Sequence, residues 1–272
     1  MNNTLYRDHA VDIHSHIIPG VDDGAQTMNE ATELIALDRE EGMSVIFATP
    51  HYGIENGYAP DKSLVQSRFQ ELLQKKSLWQ GSDPFTSLYS GTEWYCSDEI
   101  VQRILRKEAF PMGMSDWYMV EFLEWGDLTE PADIILSRLG RMRQAGISTI
   151  LAHPERYKAV REDRDLAKRI RDLDVLLQIN VYDLVLNNKE SVRNLTQWMV
   201  QERLVSFIGS DMHGTREGKR RPRMKEGISW IYENADQEYA DCVVRKNAEK
   251  YLGVEKLSVT SGHGRRISSA CM

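Results

Sequence analysis

What most constrains this chain is a rhythm in which short apolar, β-branched runs return seven times, each followed by helical spacing. The runs cover residues 10–13, 44–49, 85–91, 117–122, 147–152, 175–179 and 205–209. Parallel strands need crossover connections, and a helix after each strand supplies them, so the pattern predicts an α/β fold: seven βα units around a closed or nearly closed parallel barrel. Thr27 with Glu30 three residues later reads as a capping box opening the first helix. Ala31, Leu34 and Ile35 form its apolar stripe, and Gly42 ends it. Val65, Phe69, Leu72 and Leu73 make a second stripe, and Ile100, Val101, Ile104 and Leu105 a third. Ile134, Ile135, Leu139 and Met142 follow, then Leu195, Trp198 and Met199; all read as core faces.

The 272 residues contain no low-complexity tract or linker rich in Pro, Gly or Ser, so residues 1–257 are expected to form a single domain. Residues 258–272 lose periodicity and are expected to be a mobile tail. No apolar run approaches the roughly 20 residues that span a bilayer, and the first residues lack a signal-peptide layout; the chain reads as cytoplasmic, without membrane insertion. Cys96, Cys242 and Cys271 show no CxxC spacing, which argues against a cysteine zinc site. A net charge of −7 argues against binding nucleic acid through its phosphates. The one basic cluster, Lys219-Arg220-Arg221-Pro222-Arg223, reads either as a solvated loop or as an anion clamp.

In a barrel of this kind reactive groups gather at the carboxyl ends of the strands. His14 and His16 lie at the end of the first expected strand, His51 at the second and Glu93 at the third. Glu121 lies near the end of the fourth, His153 follows the fifth, and Asp211 and His213 follow the seventh. Residues two apart on a strand share a face, so His14 and His16 can grip one cation. The sixth strand ends in Gln178-Ile179-Asn180, polar but uncharged. Asp22 and Asp23 read as turn residues or, for one of them, as a ligand; His9 and His263 are assigned no chemistry. Imidazoles and carboxylates without a thiolate suit Mn, Fe or Zn, and so many ligands exceed the needs of one ion. A carboxylate such as Glu93 would bridge two ions about 3.5–4 Å apart.

Together, His14-Ser15-His16, Thr49-Pro50-His51, Leu151-Ala152-His153-Pro154-Glu155-Arg156-Tyr157 and Ser210-Asp211-Met212-His213 resemble the PHP (polymerase and histidinol phosphatase) superfamily. The longer string from Asp12 to Ala25 is similar to one branch, the manganese-dependent protein-tyrosine phosphatases of Gram-positive capsule and exopolysaccharide clusters, the Wzb/CpsB/YwqE type. The likeness runs from about Val11 to Gly253. It implies a distorted (β/α)7 barrel with three divalent ions, Mn²⁺ foremost, with Fe, Zn, Mg or Co as alternatives. One ion would take His14, His16, Glu93 and Asp211. A second would share Glu93 and add Glu121 and His153, and a third would take Asp23, His51 and His213.

The same resemblance makes Arg156 a phosphate-binding arginine and places a second after the Asp-x-His motif. Arg216, Arg220, Arg221 and Arg223 are all available there, and counting back from Met224 favours Arg220. The reaction implied is attack on phosphorus by a metal-bridging hydroxide, with the arginines offsetting developing charge. The implied substrate is the phosphotyrosine-rich tail of a membrane-associated bacterial tyrosine kinase. No cysteine has arginine six positions later, so the cysteine-dependent phosphatase route is not expected. Tyr52, Trp94, Tyr95, Trp125 and Tyr157 either flank a phenyl ring or pack at the barrel mouth. A small-molecule phosphatase such as histidinol phosphatase would share the metal ligands, and a noncatalytic PHP regulatory module would lack part of the set.

Overall fold

The computed structural model describes residues 10–53, 55, 57–75, 86–125, 128–187, 189–216 and 218–255. The expected tail, together with Phe85, His9 and His263, lies outside these residues. All seven strand positions are present. They are β1 (Ala10–Ser15), β2 (Met43–Ala48) continued by β3 (His51–Tyr52), β4 (Ser87–Ser90) continued by β5 (Glu93–Tyr95), and β6 (Trp117–Glu121). Beyond a small antiparallel hairpin, β7 (Glu124–Trp125) with β8 (Leu128–Thr129), come β9 (Ser148–Ala152), β10 (Leu176–Asn180) and β11 (Val205–Gly209).

Two parallel sheets make the barrel wall: β1-β2-β4, and β11-β10-β9-β6-β5-β3. The sheets are separate because the second and third strand positions are each broken in two. At Pro50 the missing N–H interrupts the ladder, and the Pro50 carbonyl instead accepts from the Glu93 amide (3.1 Å). At Gly91 a Cβ would lie 2.7 Å from Met112 Sδ, so a side chain there requires that methionine to move. The seam between β1 and β11 is closed by Asp211 N–H to the His14 carbonyl (2.8 Å) and His16 N–H to the Met212 carbonyl (3.0 Å). The expectation of a parallel (β/α)7 barrel thus holds, with two broken strands and one hairpin that periodicity did not announce.

Strand residues alternate between two apolar clusters, as a period of two requires. Val45, Phe47, Met119 and Ile150 pack with Ala248 and Leu252 near the described C-terminal end, whereas Ile46, Val120 and Leu151 belong to the larger cluster shared with the helices. The helical stripes behave as expected: Ala31, Leu34 and Ile35 on α1 (Met28–Glu40), Val65, Phe69 and Leu72 on α2 (Lys62–Gln74), and Ile100 and Ile104 on α3 (Ile100–Leu105) are buried. Leu105 is the exception at 68% exposed. The Thr27 hydroxyl accepts from the Glu30 amide (3.2 Å), but the Glu30 carboxylate reaches the Gln26 amide (3.0 Å), so the capping box is displaced by one residue.

After β1 the chain folds back on itself, with the Ala25 amide on the His16 carbonyl (2.9 Å). At Gly24 a Cβ would lie 2.1 Å from the His16 carbonyl oxygen and 2.4 Å from its Cβ. Gly24→Ala is therefore expected to cost about 3 kcal/mol, lowering the melting temperature by roughly 5–10 °C. A thermal melt indistinguishable from the parent's would mean the turn yields without cost.

Candidate metal centre

The two imidazoles of β1 and the residue beyond it each have their Nδ1 hydrogen committed. His14 Nδ1 donates to Gln178 Oε1 (2.9 Å) and His16 Nδ1 to Asp22 Oδ2 (2.8 Å). That tautomer turns both Nε2 lone pairs inward, where they lie 3.1 Å apart. Glu93 Oε2 stands 3.2 and 3.3 Å from them, and Asp211 Oδ1 3.7 and 3.4 Å. Ligands about 2.0–2.2 Å from one divalent ion stand roughly 3.0–3.6 Å from each other, so these contacts have the spacing a shared cation imposes. Among the described residues, Glu93 Oε2, Asp23 Oδ1, His51 Nδ1 and His153 Nδ1 are buried without a well-aligned hydrogen bond, although the first three lie close to other ligand atoms, and a cation there would remove that cost.

Among the described residues four overlapping groups of ligand atoms result: His16, Asp23, His51 and His213; His14, His16 and Asp211; His14, Glu93 and His153; and His51, Glu93 and Glu121. All nine expected ligand positions are thus brought together. The grouping differs in detail from that implied by the resemblance. Glu121 sits on His51 Nδ1 (2.9 Å), while His153 Nε2 sits on the other Glu93 oxygen (2.8 Å). His51 and Glu93 are paired across neighbouring strands, which accounts for their closeness.

Asp211 is the electrostatic hub. Its Oδ1 faces the histidines, while its Oδ2 accepts from Arg220 Nη2 (2.7 Å), Asn180 Nδ2 (2.8 Å) and Arg156 Nη1 (2.9 Å). Burial opposes its charge, but Arg220 and then His14 hold its carboxyl well below the usual range. Asp211 (φ 49°) and His153 (φ 34°) both adopt the left-handed region, which is strained for side chains of their kind and re-aims each from its strand end into the site. Burial and the neighbouring His16 hold the His213 imidazole down at about 4, in the neutral form that ligates metal. His16 and His51 move the opposite way. Burial resists their protonation, yet Asp22 and Asp211 around His16, and Glu121 and Glu93 around His51, carry both well above the ordinary value.

Both arginines expected to hold phosphate reach the same cavity of about 430 Å³, lined also by Asp23, His51, Glu121, His153 and His213. Arg156 is braced by Asp183 Oδ2 at 2.5 Å. Arg220 enters because its neighbours are engaged elsewhere: Arg216 Nε donates to Glu30 (2.9 Å), and Arg221 to the Thr215 carbonyl. Asp12, Asp22, Gln178, Asn180 and Asp183 were not assigned from sequence. Each orients a ligand or an arginine, Asp12 and Asp22 from nearby in the chain and the others from farther away; the sequence signals were the polar ending of the sixth strand and the place of Asp22 just after His16. Asp12, fully buried, accepts from the amides of His14 (3.0 Å) and Ser210 (2.9 Å), pinning two motifs together.

Among the aromatics, packing accounts for Trp94 and Tyr157, both fully buried, and for Tyr52, edge-on to Trp94. Tyr95 lines the cavity, as does Tyr58, which stacks on His51 with ring centres 5.2 Å apart. The side chain of Trp125 lies outside the described residues. Cys96 is fully buried and burial pushes its thiol up to about 12, so it offers no nucleophile.

Asp22 gives a test of this wiring. Its carboxylate takes the His16 Nδ1 hydrogen and the His51 amide (3.0 Å). Asp22→Asn should weaken divalent-metal affinity about 10–100-fold in a competition titration with a chelator. Unchanged affinity would remove Asp22 from the site's construction.

Residues 10–253 match the family described as capsular polysaccharide synthesis, CpsB/CapC. CapC of Staphylococcus aureus is 32% identical over 203 residues, spanning 75% of this chain and 76% of that protein. Tyrosine-protein phosphatase CpsB of Streptococcus agalactiae is 26% identical over 250 residues, spanning 89% of this chain and 98% of the relative. Among solved structures, one from the pair YwqE of Bacillus subtilis and CpsB of Streptococcus pneumoniae, unique metal-dependent tyrosine phosphatases, superposes with a TM-score of 0.77. Its identity is 22%, covering 89% of this chain and 94% of that one. The phosphotriesterase homology protein of Escherichia coli, with phosphate in its active site, shares the fold at a TM-score of 0.58 and 10% identity, covering 90% and 99%. With barrel, ligand cluster and sequence match all running through the same residues, this chain belongs to the CpsB/CapC family of capsular polysaccharide synthesis.

Proposed function

We propose that this protein is a metal-dependent tyrosine phosphatase of capsular polysaccharide synthesis, with residues 1–257 as one catalytic domain working in the cytoplasm. The observation that carries the reading is the clustering of nine ligand-type side chains, six of which line one cavity together with Arg156 and Arg220. Following the family resemblance, His14, His16, Glu93 and Asp211 would hold one ion, Glu93, Glu121 and His153 a second, and Asp23, His51 and His213 a third; His14, His16 and Asp211 lie together, as do Asp23, His51 and His213. Mn²⁺ is the proposed metal. When bound, the ions supply an activated water and offset negative charge on phosphorus.

The chain's own residues do the rest. Arg156 and Arg220 present planar guanidinium groups to the phosphoryl oxygens, and their bonds to Asp183 and Asp211 fix that geometry before substrate arrives. Tyr58, Tyr95, Phe122 and Leu123 line the same cavity and form a wall against which a phenyl ring can lie. The substrate would be the phosphotyrosine tail of a membrane-associated tyrosine kinase.

The direct test compares phosphate release from a phosphotyrosyl peptide and from histidinol phosphate by Mn²⁺-reconstituted protein. A kcat/KM at least 10²-fold higher on the peptide is expected; a preference for histidinol phosphate would replace this reading with that of a small-molecule phosphatase.

A further inference from the structure

A second, larger hollow of about 840 Å³ adjoins the catalytic cavity, and Arg156, Gly218, Lys219 and Arg220 belong to the walls of both. Beyond that shared wall it is lined by Arg161, Lys189, Arg221 and Arg223. Among the described residues Asp183 is the one carboxylate in its lining, and Arg156 Nε (2.5 Å) and Asn187 Nδ2 (2.6 Å) already occupy both its oxygens. Such a concentration of cations, in a chain of net charge −7, creates a local field opposite to that of the whole molecule. The basic residues come from separate elements: Arg161 from a short helix after β9, Lys189 from the start of the helix Glu190–Gln201, and Arg221 and Arg223 from the segment before the helix Met224–Asn234. Only the fold assembles them beside Arg156.

We propose that this trough is a second anion subsite, which takes a negatively charged side chain one to three residues from the scissile phosphotyrosine in a peptide substrate. The proposal rests on the phosphatase reading given above. A peptide advances about 3.3–3.6 Å per residue when extended, so one whose phosphotyrosine occupies the cavity and whose chain crosses the shared wall carries its flanking side chains over the trough. The group recognised is an anion on a peptide, whether the carboxylate of an acidic residue or the phosphate of a second phosphotyrosine. Lys219 stands at the junction, its Nζ 2.7 Å from the Asp23 carbonyl and 3.3 Å from its carboxylate, and so links the trough to the ligand cluster.

The test uses the Mn²⁺-loaded 272-residue protein and the double variant Lys189→Ala/Arg223→Ala, whose side chains line the trough but not the catalytic cavity. Three phosphotyrosyl peptides are compared: one with neutral flanks, one with acidic flanks and one with a second phosphotyrosine. The parent should show a lower KM for one or both anionic peptides than for the neutral one. The variant should raise that KM about fivefold or more, leaving kcat and the neutral peptide unchanged. Which anionic peptide responds identifies the source of the charge. Equal KM values across the three peptides in the parent, or equal effects of the variant on all three, would overturn the subsite. Fluorescence anisotropy with the same peptides carrying a non-hydrolysable phosphonate runs in parallel. If no peptide is hydrolysed, the phosphatase reading fails by itself, and the binding difference between parent and variant still decides the trough.

Discussion

Stripping divalent ions with a chelator should abolish phosphate release and, in the same samples, make thermal stability fall as pH rises from about 6.5 to 8.5. The pH sign follows from the histidines. In the metal-free protein Asp22 and Asp211 raise His16, and Glu121 and Glu93 raise His51, above the unfolded value of 6.5. A group whose folded value is raised contributes stability that is complete below its unfolded value and disappears as pH climbs through the folded one. His14 shifts the same way, with Glu93 and Asp211 outweighing its burial. His213, held at about 4, is already neutral throughout this window, and the depressed carboxylates of Glu93 and Asp211 are already ionised, so neither reverses the trend. A bound cation replaces those protons, so Mn²⁺-loaded protein should lose less melting temperature across the range, the remaining fall coming from groups such as Glu155, whose carboxyl is pushed up to about 8 by burial. It should also gain about 2.7 kcal/mol per site at a hundredfold excess over Kd. A metal-free melting temperature that stays level or rises over this interval would contradict the electrostatic account of the site.

The second large effect belongs to Asp211. Its two oxygens divide the work, one turned to the histidines and the other to Arg156, Arg220 and Asn180. Asp211→Asn keeps the shape but removes the charge that holds two guanidinium groups and replaces one carboxylate lone pair with an N–H. We expect kcat/KM on a phosphotyrosyl peptide to fall about 10³-fold, together with at least one fewer tightly bound ion by elemental analysis. Asn180→Ala removes a single hydrogen bond to the same oxygen and should cost far less. An Asp211→Asn enzyme with parental turnover and metal content would show that the hub has no part in catalysis.

Much of the site could be read along the chain because ligands in this fold follow strand ends, and strand ends are local. His14, His16, His153, Asp211 and His213 could be placed by counting from apolar runs, and the structure finds each at a terminus of β1, β9 or β11. Two strand positions read less cleanly. Pro50 and Gly91 interrupt them, so that His51 and Glu93 sit in short second segments instead of following the strands. The hairpin of β7 and β8 offered no alternation long enough to notice.

The sequence by itself determined the number of βα units, the parallel barrel and the chemical class of the site, since each depends on patterns repeated within a few residues. Tertiary structure alone decided which side chains support that site. Gln178 reaches His14 and Asp12 reaches Ser210 across separations of 164 and 198 residues, and Glu30 captures Arg216 so that Arg220 is the arginine facing the cavity. Asp22 and Asp23 are neighbours with opposite fates: one buried against His16, the other 3.5 Å from His51 and 3.4 Å from His213. No pattern in the chain separates them, because the direction of a turn residue's side chain is set by backbone torsions and by partners that closure of the barrel brings into reach.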